Sequence, residues 1–189
     1  MTELEKYIAT YFPVDSRDLA IIAKQFKEES LGKNDFFLKA GHYSERLSFI
    51  RSGMLRIYAP AGDKDVTQWI STEGYFITDL ASLIFNIPAR WNIQAISDVE
   101  LFTIDKKAYM QLGKDIPQWH QLEKLFIAKC FTILEDRIFS HLSMSAEERY
   151  NELLRTNREL LNQVPLNYLA SMLGMTPETF SRIRAKRIS

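Results

Sequence analysis

The chain reads as an α+β protein: an N-terminal antiparallel jelly roll (a double-stranded β-helix), then one long helix, then a C-terminal helix-turn-helix. Three observations predict this order. Residues 28–104 carry short apolar runs at close spacing, punctuated by glycine. Residues 117–142 carry a single apolar stripe at spacings of three and four. Residues 164–189 carry the cap, glycine and proline signals of two short helices joined by a sharp turn.

Two short helices, roughly 2–11 and 16–27, open the chain. The strand region follows. Phe36-Phe37-Leu38 runs into Ala40-Gly41, and Leu47 to Arg51 turns at Ser52-Gly53 into Met54 to Tyr58. Ala61-Gly62-Asp63 then leads to Val66 to Ile70, and Trp91 to Ile96 and Val99 to Ile104 complete a set of about eight strands. Strands this short and this evenly spaced predict a small antiparallel barrel or jelly roll with room for a ligand. Leu80 to Phe85 interrupts it as a short helical insert, framed by Thr78-Asp79 before and Pro88-Ala89-Arg90 after.

From Pro117 to Leu142 the residues Trp119, Leu122, Phe126, Cys130, Ile133, Leu134, Ile138 and Leu142 recur on one face over about seven turns. That is longer than a small barrel needs as cover. Part of the stripe is therefore expected to meet a second copy of itself, with Leu122, Phe126, Cys130 and Ile133 at the dimer interface. Ser145-Ala146-Glu147-Glu148 has the form of a capped helix start, and Tyr150, Leu153, Leu154 and Leu160 lead on to the terminal unit without a low-complexity linker.

In that unit Leu166, Leu169, Ala170 and Leu173 form an amphipathic stripe, and Gly174 stands where a left-handed residue ends a helix. Thr176 is placed to cap the next helix, Pro177 suits its first position, and Phe180 and Ile183 point inward. Glu178, Thr179, Ser181, Arg182, Ala185 and Lys186 remain outward, a set suited to base edges and phosphates. Glutamate accepts from cytosine N4 and arginine bonds guanine bidentately. A packed helical hairpin with a solvated charged face is the plainer alternative.

Charge separates the same two parts. The chain has 24 basic and 24 acidic residues; residues 163–189 hold four basic and one acidic, so the end is +3 and the remainder, 20 against 23, is −3. A neutral body with a basic end argues against a general nucleic-acid coat and for a few salt-sensitive phosphate contacts per subunit. Specific binding then calls for two copies, each covering one half-site of double-stranded DNA. With 46% hydrophobic residues the chain buries a real core, and no apolar run approaches a bilayer span, so a cytoplasmic protein without membrane attachment is expected. The single cysteine, Cys130, lies among Leu125, Phe126, Ile133 and Leu134 and reads as a packed apolar residue.

The order of barrel, helical insert, long helix and terminal helix-turn-helix resembles the Crp/Fnr family of bacterial transcription regulators over nearly the whole chain. Leu169-Ala170-x-x-Leu173-Gly174-Met175-Thr176-Pro177-Glu178-Thr179-x-Ser181-Arg182 looks like the family's first helix, glycine turn and recognition helix. Phe36 to Gly41, Phe49 to Arg56 and Gly62 look like its cyclic-nucleotide-binding β-roll. The resemblance implies a sensor domain over 1–114, a dimerisation helix over 115–142 and a DNA-binding domain over 143–189. It implies Glu178 and Arg182 as base readers, with Thr176, Thr179, Ser181 and Lys186 on base or backbone. It implies a homodimer on a palindromic operator, with RNA polymerase as a partner.

The effector cassette departs from the family. Relatives that bind cyclic AMP carry Gly-Glu before the small helix and Arg-Ser or Arg-Thr after it. The matching positions here read Thr78-Asp79, followed by Leu80, and, one residue late, Arg90-Trp91. Asp79 remains able to accept from a hydroxyl and Arg90 to pair with an anion. Losing the glycine restricts backbone approach, however, and Trp91 replaces a small hydroxyl donor. The hydroxyl pair that meets adenine falls on Leu134-Glu135. The reading is thus against cyclic AMP and for a different small ligand or none, at Thr78, Asp79, Leu80, Arg90 and Trp91, with no cofactor. The chain also stops within a few residues of Arg187, so the β-hairpin wing of many relatives is reduced or absent, and Pro177 stands where cyclic AMP-responsive relatives often carry arginine.

Two other classes of protein share parts of this pattern. A cupin-like metal enzyme would use His42, but the remaining histidines, His120 and His141, lie on the long helix outside an i, i+4 pair, and no catalytic constellation or metal site is read. A β-roll sensor whose terminal helices dock a protein partner is the other alternative.

Overall fold

The computed structural model describes residues 1–186. Arg187, counted in the basic end, and the last residues of the terminal unit, 188–189, lie outside the described residues.

Thr2 and Glu5 form a capping box that starts α1 (Glu3–Tyr11), and Asp15 caps α2 (Ser16–Ala23) through the N–H groups of Arg17 and Asp18. The second helix ends before the expected residue 27, because Lys27 already pairs with Thr103 at the start of a strand. Eight strands follow among the described residues: β1 (Lys27–Leu31), β2 (Phe36–Leu38), β3 (Arg46–Ser52), β4 (Leu55–Ala61), β5 (Lys64–Ser71), β6 (Phe76–Ile77), β7 (Asn92–Ala95) and β8 (Val99–Asp105).

They form two antiparallel four-stranded sheets, β1-β8-β3-β6 and β2-β7-β4-β5. Neighbours are mostly non-consecutive, so the chain crosses between the sheets and closes a jelly roll around Ile50, Leu55, Ile77, Ile93 and Leu101. The β3–β4 turn needs its glycine. Gly53 has φ +87°, and a Cβ there would stand 2.2 Å from the Asp98 carbonyl oxygen. The insert α3 (Leu80–Phe85) is capped by Asp79 and stopped by the left-handed Asn86.

A helix not anticipated from the sequence, α4 (Lys106–Asp115), continues from β8, with Asp105 accepting from the Ala108 N–H. The rod is α5 (Trp119–Ser143), 25 residues long. Its first turns belong to the chain's own core. Trp119 stacks on Phe12 at 5.4 Å, and Phe126 stacks on Phe12 at 4.8 Å and meets Tyr11 edge-on.

This corrects the placing of Leu122 and Phe126 at a dimer interface. Phe126 is 0% exposed and Leu122 buried in one chain, so neither presents a surface to a second copy. Cys130 is partly buried against the same core, and Ile133 is exposed. Further along, Phe131, Ile138, Phe139 and Leu142 are exposed, Leu142 to 82%.

Ser145 and Glu148 make the capping box of α6 (Ala146–Thr156). After α7 (Leu160–Gln163), α8 (Leu166–Met172) and α9 (Pro177–Ala185) are joined through Gly174 at φ +66°. Tyr150, Leu153, Leu169, Ala170, Phe180 and Ile183 form their shared core, Tyr150 meeting Phe180 edge-on at 5.2 Å. No helix among the described residues is long and apolar enough to cross a membrane.

Candidate functional sites

The jelly roll leaves a cavity of about 360 Å³ between β5, β6, the start of α3 and the middle of α5. Of the effector residues expected from sequence, Thr78, Asp79, Leu80 and Trp91 line it and Arg90 does not. Arg90 is exposed, and its guanidinium lies 5.2 Å from the Trp91 ring centroid. Asp79 is buried and already occupied: one carboxylate oxygen accepts from the Ser82 N–H at 3.0 Å, the other from the Arg90 N–H at 3.1 Å. Thr78 donates its hydroxyl to the Arg46 carbonyl at 2.9 Å and stands 2.9 Å from the Ser44 hydroxyl. The polar groups flanking α3 therefore hold the insert on the roll.

Most of the remaining lining is aromatic and aliphatic, with Trp69, Tyr75, Trp91, Ile57, Ile93 and Ile133, and Gln68 and Ser71 add neutral polar side chains. Cys130 and Leu134 close the α5 side, and burial raises the Cys130 thiol to about 11. At the α3 end the cavity is lined by Asp79, whose carboxylate is committed to two backbone amides, and Leu134 stands on the α5 side.

Sequence reasoning missed Arg137. It is the one cationic side chain lining the cavity among the described residues. Its guanidinium lies 4.6 Å from the Trp69 ring centroid, and Nη2 donates to the Met172 carbonyl at 3.1 Å. Burial lowers it to about 10, which leaves it charged at neutral pH, and no carboxylate among the described residues is within ion-pair distance. A second cavity, of about 250 Å³, lies on its other side between α5 and α6–α8; Trp69, Tyr75, Ile133 and Arg137 border both.

The helical end presents the second site. Thr176 accepts from the Thr179 N–H at 3.2 Å, and Pro177 occupies the first position of α9. Phe180 and Ile183 face the core, while Thr176, Glu178, Ser181, Arg182 and Lys186 are exposed and Thr179 partly so. Arg182 donates to the Thr179 hydroxyl at 3.4 Å. Hydrogen bonding at the helix start holds the Glu178 carboxyl below its usual range.

Further contacts tie this end to the roll. Ser171 accepts from the Thr67 N–H, and the Arg56 guanidinium lies 3.8 Å from the Tyr168 ring centroid and 4.1 Å from that of Tyr58; within the helical end Arg149 of α6 donates to the Leu173 carbonyl at 2.8 Å. Arg137 and Arg149 thus place two guanidiniums on the C-terminal carbonyls of α8, where helix partial charge is negative. No pattern within one segment announces these cross-chain pairs.

Comparison with known proteins places the roll and the architecture. Residues 28–115 match the cyclic nucleotide-binding domain family. No curated protein matches the chain. Among solved structures, FixK2 from Bradyrhizobium japonicum is similar with a TM-score of 0.72 at 19% identity, covering 85% of this chain and 83% of its own. The c-di-GMP responsive global regulator CLP from Xanthomonas campestris gives a TM-score of 0.67 at 16% identity, covering 91% of each. The catabolite activator protein of Thermus thermophilus gives 0.58 at 19% identity, covering 92% of this chain and 83% of its own. The class is thus a cyclic-nucleotide-binding-type β domain followed by a long helix and a helical end. Its fold is shared with regulators of that architecture.

Proposed function

We propose that this chain is a DNA-binding transcription regulator of the Crp/Fnr type. Two copies, joined along α5, read a palindromic operator through α9, under the control of a small ligand in the jelly roll. One observation carries the reading: a Thr176-capped helix, with Phe180 and Ile183 in the core and Glu178, Ser181, Arg182 and Lys186 outward, ends a chain that begins with a cyclic-nucleotide-binding-type domain. Glu178 and Arg182 serve as base readers, with Thr176, Thr179, Ser181 and Lys186 on bases or phosphates. The exposed stripe of Phe131, Ile138, Phe139 and Leu142 supports pairing with a second copy. Control of transcription makes RNA polymerase the further partner, and the cytoplasm the setting. The same reading divides the chain into sensor 1–114, dimerisation helix 115–142 and DNA-binding end from 143.

Selection of bound duplexes from a random DNA pool, followed by gel shift at fixed salt, tests this. The wild type is expected to enrich an inverted repeat. Arg182→Ala is expected to lose about 1–3 kcal/mol and to relax one position per half-site. Equal, unspecific binding by both proteins would overturn the reading. Calorimetry with cyclic AMP is expected to show no micromolar binding.

A further inference from the structure

We infer that the jelly-roll cavity takes a small carboxylic acid with an aromatic or aliphatic body, its acid group paired with Arg137 of α5. The inference rests on the reading of this cavity as the effector site and names the chemical class of the effector. Most of the lining is apolar or aromatic: Trp69, Tyr75, Trp91, Ile57 and Ile93 form a slot suited to a ring or short chain, with Gln68 and Ser71 as its neutral polar side chains. Among the described residues the one cation facing that slot is the guanidinium of Arg137, which has no carboxylate within ion-pair distance. It is held between Trp69 and the Met172 carbonyl, a neutral partner that leaves most of its five donors for another acceptor.

A charge taken from water without a counter-charge is costly, and a planar guanidinium matches a carboxylate bidentately. Asp79, at the start of α3, also lines the slot, and its carboxylate repels a second anion and so favours an acid group at Arg137 on α5. The cavity of about 360 Å³ falls in the range of small-ligand sites. Because Arg137 also holds the Met172 carbonyl at the end of α8, an acid bound to its remaining N–H groups sits beside the contact that links α5 to the helical end.

Titration of the full chain, followed by calorimetry and by the fluorescence of Trp69 and Trp91, tests the inference with two probes, 3-phenylpropionate and octanoate. At least one is expected to bind below ~1 mM, with 3-phenylpropanol or 1-octanol at least ~10-fold weaker. Arg137→Gln is expected to weaken the acid at least ~10-fold and leave the alcohol unchanged; Arg137→Lys, which keeps the charge but not the fork, falls between. Arg90→Gln is expected to bind as the wild type. Failure of both acids to bind, equal binding of acid and alcohol, full binding by Arg137→Gln, or loss in Arg90→Gln would each overturn it. Should Arg137→Gln not fold, the acid-to-alcohol ratio in the wild type and in Arg137→Lys decides. The titration contains no DNA, so its outcome is separate from that of the operator selection.

Discussion

The backbone N–H of Thr67, on the buried side of β5, donates to the Ser171 hydroxyl of α8 at 2.9 Å. This hydrogen bond joins residues 104 positions apart and locks a strand of the jelly roll to the helix that precedes the α8–α9 turn. Ser171→Ala leaves that amide without an acceptor and is expected to cost about 1–2 kcal/mol in urea unfolding. An unchanged midpoint would mean that the helical end does not depend on this strand.

Two glycines with positive φ separate backbone strain from collision. At Gly62 a Cβ meets nothing within 4 Å, so Gly62→Ala is expected to cost about 1 kcal/mol, the left-handed penalty alone. At Gly53 the same atom would stand 2.2 Å from the Asp98 carbonyl and 2.9 Å from Val99 Cα. Gly53→Ala must therefore part the β3–β4 turn from the segment before β8, and a loss above about 3 kcal/mol is expected in thermal unfolding.

The two halves of α5 answer differently to substitution. Phe126→Ala empties a site between Phe12, Tyr11 and Phe76 and is expected to cost about 3–5 kcal/mol of stability. Phe139, 70% exposed, contributes little to the single chain. Phe139→Asp is expected to leave unfolding of the single chain within about 0.5 kcal/mol when compared at concentrations low enough for the wild type to be monomeric. Sedimentation at micromolar concentration should nonetheless convert a dimer to a monomer.

Burial raises the Cys130 thiol from about 9 to about 11 and Tyr11 from 10.0 to about 12, and it also raises Tyr109. A raised acid keeps its proton in the folded chain while the unfolded chain releases it. These groups therefore stabilise the fold fully below pH 9, and the contribution is lost as pH rises through the folded values. Unfolding midpoints are expected to fall from about pH 9 upward, with Cys130→Ser moving the onset to about 10. A flat profile to pH 11 would contradict the burial of these side chains.

What the residues settled by themselves is local. The cap at Thr176, the left-handed turn at Gly174, the capping box of Ser145 and Glu148, and the insert from Leu80 to Phe85 each follow from groups within a few positions, whose hydrogen bonds form wherever the segment sits. Periodicity also marked α5, because a helical stripe is visible along one segment. Tertiary structure alone decided which part of that stripe is interior, since Phe126 is covered by Tyr11 and Phe12, more than a hundred residues earlier. It decided the strand order, in which β1 pairs with β8 across the whole roll, and it revealed α4, whose few apolar residues and Gly113 make a weak pattern. It also moved the cavity's cation from Arg90, adjacent to the insert in sequence, to Arg137 on the rod. The reason is physical: caps and turns are closed by neighbours along the chain, whereas burial and the pairing of charge depend on elements that meet only after the chain has folded.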